Sequence, residues 1–254
     1  MCLFTHIPDD IIRNILTYID DKNTTHTCRQ MYRFNKNLTL CLHHYRKHLN
    51  DNKYLKKLLN KDIFHGKTLN LFLDFDYDTG YEIFDDISKI SDKSNYFCQL
   101  DKVAIRNYKG MVSGCNSVCI KNIKELYLYN CDTIKAVTDM NQLEKLYVYN
   151  CPKLNYMVDL KNLREIYLEL CSIIYLYSIK SVKKITIIRC NNMLGMYDFP
   201  NVELIYMTKC IKLEFIIDMP KLDTIVLRDC SPDINIERCP FDLTRFDYFT
   251  EGRQ

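Results

Sequence analysis

The sequence predicts an α/β chain. A solenoid of short stacked repeats, with a parallel sheet on its concave side, follows a small helical N-terminal module. Three observations predict it. Cysteines recur at Cys131, Cys151, Cys171, Cys190, Cys210 and Cys230, with gaps of 20, 20, 19, 20 and 20 residues. Apolar residues travel with them in one template, L-x-x-L-x-L-x-x-C-x-x-L-x-x-I/M-x-x-L/F/M-x-x. The first sixty residues ignore that template and carry a helix-start signal instead.

Residues 1–49 form the expected helical module. Pro8 followed by Asp9 and Asp10 suits a helix N-terminus: proline fits the first turn, and carboxylates fit the positive end of the dipole. Ile11, Ile12, Ile15, Leu16 and Ile19 then share one helical face, and Asp20-Asp21 ends the pattern. A second helix is expected around Cys28, Met31 and Tyr32, and a third where Leu38, Leu42, Tyr45 and Leu49 fall roughly in phase. This segment resembles an F-box. The resemblance lies in Ile7-Pro8, Asp10, "ILTYI" from Ile15, "DDK" from Asp20 and "CRQMY" from Cys28. It implies docking on a Skp-type adaptor of a cullin-based ubiquitin ligase, through Ile7, Pro8, Ile11, Ile15, Leu16 and Ile19. The stretch from Asp20 to Cys28 departs from the pattern: it is about one helical turn short, and "NTTHT" replaces a largely apolar segment. The alternative is a plain helical cap, which a solenoid needs in some form.

Residues 50–99 read as an irregular linker or entry region. "TLNLFLDF", from Thr68, suggests an irregular entry strand. "DFDYDTGYEIFDD" is acidic, but lacks the ligand spacing of a calcium loop. The repeats occupy 100–230. An early unit, "LDKVAIRNY", puts Tyr108 in the cysteine position, 23 residues before Cys131.

Within a unit the L-x-L step has period two and reads as a short strand with one buried face. The remaining apolar residues recur every third position, which suits an extended or 3₁₀ return better than an α-helix. In three of the units they are Leu154, Met157 and Leu160; Ile174; and, two units later, Leu213, Ile216 and Met219. One unit cannot bury its own apolar face, whereas stacked units share a continuous core. From residue 100 onward the chain resembles the leucine-rich repeats, whose turn position takes Asn or Cys. The template dissolves after Cys230, and 231–254 read as a C-terminal cap.

Three readings compete for the cysteine column. Zinc wants close C-x₂-C pairs, which the column lacks. Disulfides need opposing Cβ vectors, whereas stacked equivalent positions are parallel. Buried free thiols filling the turns fit the spacing.

If Leu146 and Val148 point inward, their neighbours form an outward face. One column runs Ala104, Tyr127, Tyr147, Tyr167, Thr186, Tyr206 and Val226. The next runs Arg106, Tyr129, Tyr149, Glu169, Ile188, Thr208 and Arg228. Tyr127, Tyr129, Tyr147, Tyr149, Tyr167 and Tyr206 form an aromatic block that suits a protein partner, since tyrosine is enriched in binding hot spots. The competing reading is ordinary strand propensity.

A net charge of +3, with Lys and Glu interleaved beside the tyrosines, argues against nucleic acid. No run of about eighteen apolar residues suggests a membrane span, and no signal peptide is legible. A cytoplasmic location is therefore expected. The composition, with two Ala and abundant Ile, Asn, Lys and Tyr, resembles proteins of large DNA viruses or AT-rich protists. A viral source would imply the host cytoplasm.

There is no phosphate loop, nucleophile elbow or H-E-x-x-H motif. His44 and His48 have metal-compatible spacing but no third ligand. No metal, cofactor or enzymatic activity is expected. The function expected is that of a substrate receptor of a Skp-cullin-type ubiquitin ligase. The alternative is a stand-alone repeat scaffold or inhibitor.

Overall fold

In a computed structural model, the described residues are 37–44, 68–75, 99–108, 117–118, 122–240 and 245–249; side chains are described for 70–71, 101–108 and 122–240. The positions expected to contact an adaptor, Ile7, Pro8, Ile11, Ile15, Leu16 and Ile19, lie outside them.

The chain is a parallel-strand β-solenoid. Its strands are β1 (Asn37–His44), β2 (Thr68–Phe75), β3 (Gln99–Arg106), β4 (Ser117–Val118), β5 (Glu125–Tyr129), β6 (Ala136–Thr138), β7 (Lys145–Tyr149), β8 (Tyr156–Val158) and β9 (Glu165–Glu169). They continue as β10 (Tyr175–Tyr177), β11 (Lys184–Ile188), β12 (Gly195–Tyr197), β13 (Leu204–Thr208), β14 (Phe215–Ile217), β15 (Thr224–Arg228), β16 (Asn235–Glu237) and β17 (Arg245–Phe249). Ten strands form one long sheet in the order β1-β2-β3-β5-β7-β9-β11-β13-β15-β17. On the return side, three-residue strands form a sheet β10-β12-β14-β16, and β4-β6-β8 form another. Every pairing is parallel.

Register follows the template. Leu126 sits beside Leu146 and then Ile166, and Leu128 beside Val148 and then Leu168. These residues are fully or almost fully buried, as are Leu154, Met157 and Leu160 on the return side. Each such aliphatic side chain contributes about 1.5–3 kcal/mol through burial. Tyr108 is fully buried in the cysteine position, as its place in the early unit predicts.

Three expectations change. The segment Asn37–His44, expected to be helical from the phase of Leu38 and Leu42, is a strand paired residue for residue with β2. Leu38, Leu40 and Leu42 also alternate with period two, and the sheet edge offered by β2 selects that reading. The extended return expected of each unit pairs its middle residues into short strands. Ile174 is not a core residue: it is 45% exposed, while Ile173 is buried. The 19-residue turn has lost its residue between Cys171 and Ile173. The spacing from Ile173 to Cys190 then matches that from Leu154 to Cys171. The cap segment also carries rungs, since β16 and β17 extend the four-stranded and ten-stranded sheets.

Two corners close each turn, and both use a left-handed residue. After the long strands these are Asn107, Asn130, Asn150, Leu170, Arg189, Lys209 and Asp229, with φ between 50° and 56°. After the short strands they are Asp139, Asp159, Ser178, Asp198, Asp218 and Arg238. Asn and Asp tolerate this region because their short polar groups bond locally, whereas other non-glycine residues are strained there. Three asparagines also form a ladder: Asn130 Nδ2 donates to Asn107 Oδ1 at 3.1 Å, and Asn150 Nδ2 donates to Asn130 Oδ1 at 2.9 Å. Leu170 occupies the next step, half-buried and unable to continue the ladder. Leu170→Asn should therefore stabilise the chain by about 1 kcal/mol, raising the thermal midpoint by roughly 2–4 °C in calorimetry. A midpoint that falls would contradict this account of the corner.

Candidate functional site: a tyrosine face on the long sheet

The outward residues of β5, β7 and β9 form a continuous aromatic stack. In-register pairing places Tyr127 beside Tyr147 and Tyr147 beside Tyr167. The Tyr127 and Tyr147 rings are stacked, 4.7 Å between centroids and 4° from parallel. Tyr167 lies 6.0 Å from Tyr147 at a 32° tilt, and Tyr129 lies 6.5 Å from Tyr127. Centroid separations of this kind favour aromatic pairs beyond the area they bury.

Carboxylates hold the phenol tips. Tyr127 donates to Glu125 at 2.7 Å, Tyr147 to Glu165 at 3.2 Å, and Tyr167 to Glu169 at 2.7 Å. Cations hold the carboxylates in turn: Lys102 lies 2.8 Å and Lys145 3.8 Å from Glu125, and Arg189 lies 3.6 Å from Glu169. Burial alone would raise the Glu125 carboxyl. Hydrogen bonds from Lys102 and Tyr127, with the charges of Lys102 and Lys145, outweigh it and hold that group below the ordinary value. Burial, then the bond to Glu125, pushes the Tyr127 phenol well up. Tyr147 rises through burial and then the charge of Glu165, and Tyr129 through burial. Tyr167 is pushed up to about 12 by burial and its bond to Glu169. At neutral pH the Tyr127, Tyr147 and Tyr167 phenols are fixed hydrogen-bond donors, with ring faces and edges left for contact.

The six predicted tyrosines divide. Tyr127, Tyr129, Tyr147, Tyr149 and Tyr167 are brought together on neighbouring strands. Of the six, only Tyr149 is exposed, at 38%, and the others are half-buried. Tyr206 stands apart, beyond Thr186 of β11, with the Arg228 guanidinium 5.6 Å from its ring centroid.

Sequence reasoning missed a second aromatic face. Tyr175, Tyr177 and Tyr197 project from the four-stranded return sheet at 44%, 40% and 39% exposure. The rings of Tyr177 and Tyr197 stack at 5.3 Å. Tyr175 and Phe215 lie 6.1 Å apart although one strand intervenes, because Gly195 stands between them in register. A Cβ at Gly195 would collide with the Phe215 ring, so that glycine leaves room for it. The signal was the alternation in "YLY" and "GMY", hidden by reading the return side through its three-residue apolar spacing alone.

The cysteine column has the structural form expected of it. Cys131, Cys151, Cys171, Cys190, Cys210 and Cys230 are free and buried. Each thiol donates to the carbonyl two residues earlier, at the end of the long strand, over 3.4–3.6 Å. Hydrogen bonding to the neighbouring thiol, then burial, pushes Cys151, Cys171 and Cys210 far above the ordinary thiol range. Among the described residues no group of three or more His, Cys, Asp or Glu side chains could hold a metal, and no helix is long and apolar enough to cross a membrane. Comparison with known proteins finds no matching family model, curated protein or solved structure.

Two measurements follow from these environments. Iodoacetamide at pH 8 should leave the six column cysteines unmodified in the native chain and label them in denaturant, read by peptide mass spectrometry. Rapid native labelling of Cys151 would contradict the buried geometry. A native phenol that ionises near 12 stays protonated where the unfolded one, near 10, has already lost its proton. Tyr167 therefore contributes stability that is fully present below about pH 10 and is lost as pH rises towards 12. Denaturant melts across that window should show stability falling with pH, and Tyr167→Phe should flatten the fall. An unchanged slope in the variant would remove Tyr167 as its source.

Proposed function

We infer that the chain is a protein-recognition solenoid of the leucine-rich-repeat type, whose tyrosine face on the long sheet receives a partner protein. The observation that carries this reading is the stack of Tyr127, Tyr147 and Tyr167, with its phenol tips fixed by three glutamates. A partner would meet rings that are already ordered, so little side-chain entropy is lost on contact. The F-box resemblance of residues 1–49 extends the proposal: the chain recruits its target to a Skp-type adaptor and cullin as a ubiquitin-ligase receptor. Itself it carries out no chemistry and requires no cofactor. A cytoplasmic setting agrees with the free thiols of the column. Without adaptor docking, the same surface would act as a stand-alone scaffold or inhibitor.

One observation favours a second contact face. Tyr175, Tyr177 and Tyr197 are more exposed than the tyrosines stacked on the long sheet, and exposed aromatic patches mark interaction sites.

Affinity purification with mass spectrometry separates these readings. Tyr147→Ser with Tyr167→Ser should reduce target capture at least tenfold, whereas Tyr177→Ser with Tyr197→Ser should leave it unchanged. The reverse result would move the contact to the return sheet. Ile15→Asp with Leu16→Asp should remove adaptor and cullin but retain the target. Absence of any Skp-type adaptor from the wild-type eluate would leave the scaffold reading.

A further inference from the structure

The outward column of tyrosines on the long sheet has a gap in it. After Tyr127, Tyr147 and Tyr167 comes Thr186 of β11, and then Tyr206 of β13. Thr186 is the one step from Tyr127 to Tyr206 that carries no ring. Adjacent parallel strands stand about 4.8 Å apart, so Tyr167 and Tyr206 are rooted about 9.6 Å apart with a short side chain between them.

A similar interruption on the return sheet is closed. There Gly195 separates Tyr175 from Phe215, and those rings come within 6.1 Å of each other over the bare backbone. At Thr186 the flanking rings do not meet. Among the described residues Tyr167 contacts only the Tyr147 ring, and Tyr206 contacts no ring. Three features keep them apart. The Thr186 side chain covers backbone of the kind that Gly195 leaves bare. Tyr167 is tied through its hydroxyl to Glu169 and lies beside Tyr147. Tyr206 lies against Arg228, which comes from the rung on its other side. Each ring therefore keeps one face toward the space above Thr186. The hydroxyls of Thr186 and Tyr206 make no hydrogen bond among the described residues, whereas those of Tyr127, Tyr147 and Tyr167 are all tied to glutamates.

A further ring placed midway would lie about 4.8 Å from each neighbour. That matches the 4.7 Å between Tyr127 and Tyr147 and suits the separation aromatic pairs prefer. A leucine in the same gap gains burial but no stacking.

We propose that the gap above Thr186 is a slot for one aromatic side chain of the partner, a tyrosine or tryptophan. The side chain inserts between Tyr167 and Tyr206 and completes a five-ring stack from β5 to β13. Its polar tip points down toward the sheet, where it meets the Thr186 hydroxyl. This rests on the reading of the long sheet as the partner face and gives that partner its anchor. It also gives Tyr206, set apart from the other tyrosines, a place in the same surface.

The chain contains no tryptophan. The fluorescence of an acetylated, amidated Gly-Gly-Trp-Gly-Gly peptide, excited where indole alone absorbs, therefore reports on the probe. Its anisotropy should rise saturably with the full chain. The matching Tyr peptide should displace it at least tenfold more effectively than the Leu peptide. Thr186→Tyr fills the slot from within. It should weaken the Trp peptide at least tenfold while the thermal midpoint holds or rises, because the new ring stacks on both neighbours. Thr224→Tyr, outward on β15 and away from the slot, should leave binding unchanged. Absence of saturable binding, equal displacement by the Leu peptide, or equal losses in the two variants would each overturn the proposal. So would a Thr186→Tyr chain that melts earlier or fails to fold, since the gap would then already be filled. The probe reads the slot alone, so the two readings fail separately. If the probe does not bind but Tyr147→Ser with Tyr167→Ser still loses the target, the slot falls and the partner face stands. If the probe binds and that variant keeps the target, the partner face falls and the slot stands.

Discussion

In a stacked parallel solenoid each residue lies on its counterpart one turn earlier, so turn length is the constraint on which everything else depends. While turns remain in register, the core columns, corner residues and surface ladders align together. The turn between Cys171 and Cys190 tests how this constraint is met. It is one residue short, and the loss falls on the return side, just after Cys171. The long sheet passes through with β9 and β11 paired residue for residue. The return sheet breaks there, with β8 ending one sheet and β10 opening the next. A depression of about 320 Å³ lies at that break, lined by residues that include Val158, Leu160, Tyr177 and Ile179. The five-residue strands dominate the pairing, and the three-residue strands absorb the mismatch.

The same constraint explains why the turns carry cysteine. A residue leaving the strand end is buried and must fit beside an identical residue above and below. A thiol is small, and its weak donor reaches the strand-end carbonyl two residues back without demanding further partners. Asparagine serves the adjoining corner because that position is less buried and needs left-handed backbone. There its amide bonds to the rung above, and the corner gains a ladder of its own.

Legibility in the sequence followed the strength of each constraint. The long-strand core was legible because period-two alternation and the cysteine spacing agree, as in Leu146, Val148 and Cys151. So were the neighbours that face outward, Tyr127, Tyr147 and Tyr167. Ile174 was misplaced because counting from Cys171 assumes a full-length turn, and the adjacent Ile173 satisfies the pattern equally well. The helix expected through Leu38 and Leu42 failed because Leu40 completes an alternating triplet that only a neighbouring strand rewards. The exposed return face was missed because three-residue strands carry too little periodicity to announce themselves. The links from Tyr147 to Glu165 and from Lys102 and Lys145 to Glu125 were not legible at all, since they join residues across rungs and follow side-chain reach rather than spacing.

The two halves of the long sheet solve one surface problem in different ways. In the first half, the hydroxyls of Tyr127, Tyr147 and Tyr167 meet carboxylates, Glu125 and Glu169 meet a cation, and the corners are asparagines at 107, 130 and 150 before Leu170. Polar demand there is met within the chain, so contact depends on ring surface and shape. In the second half, Arg189 and Lys209 hold the corners in left-handed backbone, as Leu170 does just before them. Backbone stability favours asparagine at such corners, so Leu170, Arg189 and Lys209 each carry a local strain that the stacking tolerates.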